Sequence, residues 1–287
     1  MLRIVLLIML FMAMIFLIVA ETAAQRQGRS GLRHNPVESI SKGITKSLNN
    51  ADRIAPDLAG AIENVDISLP SLGGKKNEEE LSPNVGADLT GSDFSGQQLP
   101  EEIFASAELS DVNFLGAQLD KASLEAAIGT RTNFRKARMT EANLNAAEFE
   151  EANFEEANLR KASVRGATIT NAMLTGTDFL GTSFAGTDLS GSTIVDAFGA
   201  GASFIGATLN DVDFSNTDLR TARFGRATMK GATFAGADLG GADFEGANLS
   251  NASFTGAIGM TQEQLDLACG NAKTTLPEGL MLLTCAN

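Results

Sequence analysis

The sequence predicts an all-β solenoid, in which short extended segments wind around one axis, on the basis of two observations. A large apolar residue occupies every fifth position from Leu89 to Phe254 without an insertion, and only two of these 34 positions hold glycine. The residue two places earlier is small: it is alanine at 23 of the positions and serine or threonine at seven more. Internal repetition of this kind has to be considered before any local propensity, because it determines the fold class.

A period of five residues fits neither a regular helix nor a straight strand. Five residues of an α-helix rotate a side chain by roughly 140°, and five residues of a strand move it to the opposite face. Every fifth side chain can point inward only if the chain turns a corner in each group of five residues, as in a solenoid. The small residue then fits beside the large one in a narrow interior, where a bulkier side chain would be overpacked.

The repeated motif is alanine, then aspartate or asparagine, then leucine or phenylalanine, followed by two variable residues. Clear examples are Ala142-Asn143-Leu144, Ala152-Asn153-Phe154 and Ala237-Asp238-Leu239. Over residues 87–256 the chain resembles the pentapeptide-repeat family. The resemblance implies a right-handed quadrilateral β-helix with four pentads in each coil, in which the large residue and the preceding small residue face inward.

A coil of 20 residues places every fourth pentad in one column of the interior. One such column, the core ladder, is expected to contain Phe94, Phe114, Phe134, Phe154, Leu174, Ile194, Phe214, Phe234 and Phe254. Burial of the large interior side chains, at roughly 1.5–3 kcal/mol each, is expected to dominate the stability. With about 4.8 Å between stacked strands, the predicted rod is about 40 Å long.

Opposite charges also recur 20 residues apart. Two alternating series run through Glu101, Lys121, Glu141 and Lys161 and through Asp111, Arg131 and Glu151; further pairs are Arg135 with Glu155, Lys136 with Glu156 and Arg223 with Asp243. Cross-strand pairs contribute about 0.2–1 kcal/mol each, and less where they are exposed. They are therefore expected to favour one register without holding the fold together.

Two places depart from the inward pattern near the beginning of the repeats. Gln97 and Glu102 occupy positions where a small inward residue is expected, and Pro100 lies between them. This combination predicts a distorted coil over residues 97–104. Such a coil would be either a binding loop or an imperfect early coil.

Two further departures lie at glycines. At Gly129 and Gly199 the large residue stands one place early, as Ile128 and Phe198. An extra or displaced residue in a strand commonly forms a bulge. The sequence therefore predicts a local bulge or bend at both glycines.

A cap is expected over residues 257–287, because the end of a solenoid otherwise exposes strand edges. Thr261 and Gln264 match a capping box, which predicts a short helix from Thr261 to Ala268. Cys269 and Cys285 form either a disulfide or two free thiols. A disulfide across this loop would contribute about 3 kcal/mol in the chain-entropy account, and it fits an oxidising compartment, whereas free thiols fit the cytoplasm.

Residues 1–24 are predicted to be a signal peptide or a membrane anchor. The uninterrupted apolar run from Ile4 to Ala20 is longer than a usual signal-peptide core and slightly shorter than a comfortable membrane span. Small residues at Ala20 and Ala24 favour cleavage and export, whereas Arg26 and the arginines that follow favour an uncleaved anchor with an inward-facing body. The expected location is therefore exported (periplasmic or extracellular) or membrane-anchored, with the inward-facing anchor as the alternative.

Residues 25–86 are predicted to be a tether. Apolar residues recur at helical spacing between Val37 and Leu48 and between Ile54 and Val65, which predicts two short amphipathic helices. These helices are either a pair that binds a membrane surface or a partner, or a spacer that packs loosely on the neighbouring domain.

The composition excludes most catalytic and nucleic-acid-binding chemistry. The net charge of −13 repels nucleic acid, so no direct binding to it is expected. One histidine, His34, and two cysteines cannot supply a four-ligand zinc site or most histidine-dependent catalysis. Asp211, Asp213 and Asp218 lack the glycine and the terminal glutamate of a calcium loop. The sequence therefore predicts no enzyme activity, no cofactor and no metal.

Two functions fit the sequence. The first is a non-enzymatic structural or protein-binding scaffold, exported or membrane-tethered, with an unknown protein partner. The second follows from the resemblance, because some family members inhibit topoisomerases by mimicking DNA with an acidic rod. Residues 87–256 contain 12 basic and 23 acidic residues, which permits such mimicry, although the basic residues interrupt the acidic surface. The resemblance also implies a homodimer through one end of the rod, and an uncleaved N-terminal segment would bind a membrane.

Overall fold

The computed structural model describes residues 84–285. These residues belong to the second of two compact units, which span Met1–Glu80 and Leu81–Asn287. The expected leader (1–24) and nearly all of the expected tether (25–86), with its two amphipathic helices, lie outside the described residues. Within residues 84–285, no helix combines the length and the apolar character that a membrane span requires.

Parallel backbone bridges connect each coil of the rod to the next. They begin between Asp88 and Glu108 and recur at every fifth residue, with the same offset of 20 residues, up to the bridge between Asp238 and Ile258. Four bridging positions in each 20-residue coil make a quadrilateral β-helix. Since the chain turns a corner in every pentad, each extended segment between two corners contains only one residue that forms a bridge.

The rod has four faces, which we name by the outward residue that starts each of them. Face 1 starts at Asp88, face 2 at Asp93, face 3 at Gln98 and face 4 at Ile103. Each face continues through the residues that follow at steps of 20 along the chain. An outward side chain therefore has its neighbours 20 residues before and after it.

Every corner from Gly91 to Gly256 contains a residue with left-handed backbone geometry, two places after the inward position that a large residue usually occupies. Glycine adopts this geometry without steric cost, as at Gly191, where φ is 71°. Residues with side chains adopt it as well, as at Lys121, where φ is 58°. Many corners are closed by a turn hydrogen bond such as that from the Ala107 N–H to the Phe104 carbonyl, at 3.0 Å.

Phenylalanine rings of successive coils stack along the interior of face 2. The ring centroids of Phe114 and Phe134 are 5.2 Å apart, and those of Phe234 and Phe254 are 4.8 Å apart. Phe94 is partly buried, and the later residues of the column are at most 1% exposed. The column contains the residues of the core ladder: Phe94, Phe114, Phe134, Phe154, Leu174, Ile194, Phe214, Phe234 and Phe254.

The bulges predicted at Gly129 and Gly199 are not present. Bridges continue through Ile128 and Phe198, so the backbone keeps its register at both glycines. The large side chains are turned outward instead, which leaves 45% of Ile128 and 57% of Phe198 exposed. A neighbouring ring fills the interior, since a Cβ atom on Gly199 would lie 1.9 Å from Phe179. Because the interior is repacked by side chains, the backbone does not need to bend.

The prediction of a distorted coil over residues 97–104 was also wrong. Bridges continue through Gln98 and Ile103 with the offset of 20 residues. The side chain of Gln97 is exposed, and Glu102 accepts a hydrogen bond of 3.0 Å from the Asn84 amide. Solvent and this bond satisfy the polar groups, so they are accommodated without displacing the backbone.

The cap begins with a single helical turn, α1 (Gln262–Leu265), which ends before the predicted Ala268. It is shorter because the chain returns at Cys269 to pair with the last coil. The Cys269 N–H donates to the Ala247 carbonyl at 3.0 Å, and its carbonyl accepts the Leu249 N–H at 2.7 Å.

Two short strands complete the cap. Strand β1 (Cys269–Gly270) pairs in parallel with β2 (Leu283–Thr284), and these are the only regular strands within residues 84–285. A disulfide joins Cys269 to Cys285, with 4.8 Å between their Cα atoms. The end of the described chain is therefore covalently attached to the segment that covers the last coil.

Candidate protein-binding surface

The outward aspartate or asparagine of the motif stabilises the corner that follows it. Its side-chain oxygen accepts the N–H of the residue two places later, as between Asp93 and Ser95 at 2.9 Å and between Asn113 and Leu115 at 3.1 Å. This is the local turn chemistry for which these two residue types are favoured. The side chains are therefore used in the fold while they remain on the surface.

The same side chains form a ladder along face 2. The Asn113 amide donates to Asp93 at 3.1 Å, and the Asn133 amide donates to Asn113 at 2.9 Å. Each link joins side chains 20 residues apart in neighbouring coils. The outward positions of face 2 are therefore polar from Asp93 to Asn153, and this polar series is interrupted at Met173, which is 42% exposed.

Exposed ion pairs connect neighbouring coils at the spacing that the charge pattern predicts. Two hydrogen bonds, of 2.8 and 2.9 Å, join Arg131 to Asp111. The pairs that form at a separation of 20 residues are Arg131 with Asp111, Arg135 with Glu155 and Lys136 with Glu156. About half of each of these basic side chains is exposed, so the pairs contribute little to stability.

Other arginines reach diagonally across the surface. Arg138 pairs with Asp120 at 2.6 Å, and Arg160 pairs with Asp178 at 2.9 Å, both at a separation of 18 residues. These pairs join an outward position on face 3 to a residue on the corner that follows face 3. A search for residues exactly one coil apart misses them, since the long arginine side chain spans the difference.

Hydrogen bonds lower the pKa of two surface carboxyl groups, those of Asp218 and Asp88. A side-chain hydrogen bond from Arg220 lowers the pKa of Asp218, and the guanidinium nitrogen lies 2.7 Å from the carboxylate oxygen. Side-chain and backbone bonds from Thr90 lower the pKa of Asp88. Both carboxyl groups therefore stay ionised at neutral pH, which is unsuitable for a general acid.

Buried hydroxyl groups are structural residues that the sequence pattern does not identify. They occupy the small inward position and donate to a carbonyl of the preceding coil, as Thr177 does to Phe154 at 2.7 Å. Ser192 donates to the Ile169 carbonyl and accepts the Ala172 N–H, each at 3.0 Å. The only advance signal was that serine and threonine, as well as alanine, occur at this position.

An open cleft of about 450 Å³ lies between α1 and the last coil. Its walls include Phe244, Gln264 and Leu267, with carboxylates from Asp243 and Glu263. The lining contains neither a histidine nor a cysteine, and residues 84–285 hold no group of three or more metal-ligating side chains. The cleft therefore provides an open contact surface with carboxylates in its walls.

The cap also exposes large apolar side chains at the end of the rod. The exposed fractions are 67% for Leu267, 74% for Met281 and 65% for Leu283. These three side chains belong to the same cap, and exposed apolar surface of this kind is a candidate interaction site.

Comparisons with known proteins agree with this architecture. Eight copies of the pentapeptide repeat match the chain, over residues 87–145 and 147–258. No curated protein sequence is significantly similar to the chain.

Three solved structures illustrate the likeness. Full-length QnrB1, a plasmid-mediated fluoroquinolone resistance protein, is 16% identical and matches 63% of this chain and 94% of its own, with a TM-score of 0.30. Rfr23 from the cyanobacterium Cyanothece 51142 is 28% identical over 37% of this chain and 85% of its own, with a TM-score of 0.26. A pentapeptide repeat protein from the Arabidopsis thaliana thylakoid lumen is 29% identical over 49% of this chain and 75% of its own, with a TM-score of 0.25.

The identification depends on the repeats themselves. They cover more than half of the chain, and the bridges repeat every five residues along the same region. This chain belongs to the pentapeptide repeat family.

Proposed function

We propose that this protein is a non-enzymatic rod that binds a partner protein through its flat faces, and that it is exported or membrane-tethered. Binding through the faces is supported by the way in which apolar side chains of the coils point inward and polar side chains point outward. The interior is filled by apolar side chains, so the ligand-accessible groups of the coils are on the faces. Membership of the family supports right-handed winding of the coils.

The absence of enzyme activity is supported by the chemistry of the surface. Pentapeptide repeat proteins are generally non-enzymatic scaffolds. Where the pKa of a carboxyl group in residues 84–285 is clearly displaced, hydrogen bonds displace it downward. The aspartates and asparagines of the motif serve the corners, which accounts for their regular spacing without catalysis.

Export is supported by the disulfide between Cys269 and Cys285, because disulfides persist in oxidising compartments. The apolar leader over residues 1–24 supports the same proposal. Protease digestion of spheroplasts, followed with an antibody to the C-terminal region and a cytosolic marker, tests it. Digestion before lysis is the expected result, and protection until lysis would contradict export and an outward-facing anchor.

The exposed apolar side chains of the cap support a homodimer through this end of the rod. Leu267, Met281 and Leu283 provide apolar surface that a second copy would remove from water. The side faces would then remain available to a different partner.

The alternative function is DNA mimicry with inhibition of a topoisomerase, if the repeats face the cytoplasm. The observation that favours it is a stretch over residues 166–219 with six aspartates and no lysine, arginine or histidine. Inhibition of gyrase supercoiling by micromolar protein would support it. Unchanged supercoiling at that concentration would exclude it.

A further inference from the structure

Phe198 has no packing role in the interior of the rod. It is the only phenylalanine outside the leader that departs from the five-residue register, and 57% of it is exposed. Phe179 occupies the interior space at Gly199, so the outward position of Phe198 leaves no cavity behind. Burial of a phenylalanine side chain is favourable, and the chain forgoes much of that stabilisation at this position. Aromatic residues, including phenylalanine, are enriched at the cores of protein interfaces, so an exposed ring is a candidate binding anchor.

Apolar residues border Phe198 on both corners of face 3. Val195 lies on the corner that leads into the face, and Leu180 lies on the corner that leaves it in the preceding coil. Both side chains are half-buried. We call Leu180, Val195 and Phe198 the Phe198 patch. Gly201, on the corner after Phe198, adds no side chain, so a partner can approach the ring from that side.

Carboxylates surround the patch. Asp178 and Asp218 are the bridge partners of Phe198 in the neighbouring coils, and Asp196 lies on the corner just before it. The patch lies near the middle of residues 166–219, which contain six aspartates and no basic residue. Its immediate surroundings are therefore negatively charged.

Two arginines limit this negative surface at its edges. Arg160 pairs with Asp178 at 2.9 Å, and Arg220 pairs with Asp218 at 2.7 Å. Asp196 accepts a hydrogen bond of 3.2 Å from the amide of Asn216, which carries no charge of its own. The ring of Phe198 therefore has apolar neighbours, and the charged side chains around it carry a net negative charge.

The charges disfavour a second copy of this chain as the occupant. In a symmetric dimer, the same surface patch of each subunit meets its copy on the other subunit. Two copies centred on Phe198 would place Asp178 opposite either Asp178 or Asp218, and like charges in apposition cost affinity. A cationic side chain is attracted both to an aromatic ring and to carboxylates beside it.

We propose that the Phe198 patch is a docking surface for a lysine- or arginine-bearing segment of a partner protein. The cation lies over the ring of Phe198, between the carboxylates of Asp178 and Asp218. This inference rests on the proposed scaffold function and adds to it the binding face and the charge of the partner.

Site-specific photo-crosslinking of the full-length protein in the cells that produce it tests the proposal. p-Benzoylphenylalanine replaces Phe198 in one variant and Asn158 in a matched control, which lies on the same face two coils earlier. After irradiation, the adducts are purified and the crosslinked segment is identified by mass spectrometry. The expected result is an adduct from position 198 that exceeds the one from position 158 and maps to a segment of net positive charge.

The same experiment separates failure of the patch from failure of the scaffold. Further positions on the other three faces are Thr208, Asn133 and Ser163. Adducts from any of these or from position 158, with none from position 198, overturn the patch and leave the scaffold function standing. A neutral or acidic segment, or an adduct with the mass of two copies, also overturns the patch. No adduct from any position overturns both.

A substitution provides a second readout with the crosslinked segment as a synthetic peptide. Phe198→Thr is expected to weaken peptide binding about tenfold, because an aromatic anchor supplies a large part of the affinity. The control Asn158→Thr leaves the affinity unchanged, and circular dichroism checks that both variants fold. Equal affinities for the two folded variants would overturn the proposal.

Discussion

Two buried hydroxyls, those of Ser192 and Thr217, replace a turn hydrogen bond of the preceding coil. The Ser192 Oγ atom stands between the Ala172 N–H and the Ile169 carbonyl of the preceding coil, at 3.0 Å from each. Thr217 donates in the same way to the Ile194 carbonyl. A side chain of one coil thus completes the backbone bonding of another.

Ser192→Ala is expected to lower the free energy of unfolding by about 0.5–1.5 kcal/mol, because the two hydrogen bonds through the hydroxyl are replaced by at most one turn bond, from the Ala172 N–H to the Ile169 carbonyl. Chemical denaturation monitored by circular dichroism measures the change. Ser203→Ala is the matched control, since Ser203 occupies an outward, half-buried position on face 4. Equal losses in the two variants would contradict the proposed role of the buried hydroxyl.

Arg220 controls the ionisation of Asp218. Its hydrogen bond lowers the pKa of this carboxyl, so the stabilisation is present above the pKa of an unfolded aspartate and is lost as pH falls through the lower folded value. We expect Arg220→Gln to raise the pKa of Asp218 in an NMR titration. Arg160→Gln, which removes a different ion pair, should leave that pKa unchanged. An unaltered value in Arg220→Gln would refute the assignment.

At the scale of the elements, the stacked column inside face 2 holds neighbouring coils together. Phe214→Ala is expected to cost about 3–5 kcal/mol through the cavity it leaves between Ile194 and Phe234. The control Phe198→Ala removes the same ring from the surface and should cost far less. Denaturation midpoints of the two variants give the comparison, and similar midpoints would count against the inward register.

The disulfide restrains the cap after the last coil. Its loop spans 16 residues, and in the chain-entropy account such a crosslink contributes about 3 kcal/mol. Reduction is therefore expected to lower the thermal stability of the wild-type protein. The melting temperature of the double variant Cys269→Ser, Cys285→Ser should not change when reductant is added. A wild-type melting temperature that is insensitive to reductant would show that the crosslink adds little.

At the scale of the whole molecule, apolar side chains are exposed at the cap and the side faces are mainly polar. We expect Met281→Asp to shift a dimer towards monomer in sedimentation velocity, because a charge would be desolvated at the interface. Leu115→Asp, which alters an exposed apolar residue on a side corner, is the control and should not change the oligomeric state. A wild-type protein that sediments as a monomer at high concentration would exclude the cap interface.

The five-residue period alone determined the solenoid and its inward residues, and the resemblance to the pentapeptide-repeat family implied the register of 20 residues per coil. This was possible because each coil contacts only its neighbours, so one local pattern specifies the same packing many times. Phe114 and Phe134 are therefore placed by counting, and the ion pair of Arg131 with Asp111 follows from the same interval.

Only the tertiary structure decided what happens where the pattern is broken. At Gly199 the choice between a bulged backbone and an outward side chain depended on whether another coil could fill the interior, and Phe179 does so. The role of Ser192 likewise depends on backbone atoms one coil away. The helix of the cap ends at Leu265 because Cys269 pairs with the last coil. Each of these outcomes depends on contacts between residues far apart in the chain, which no local pattern contains.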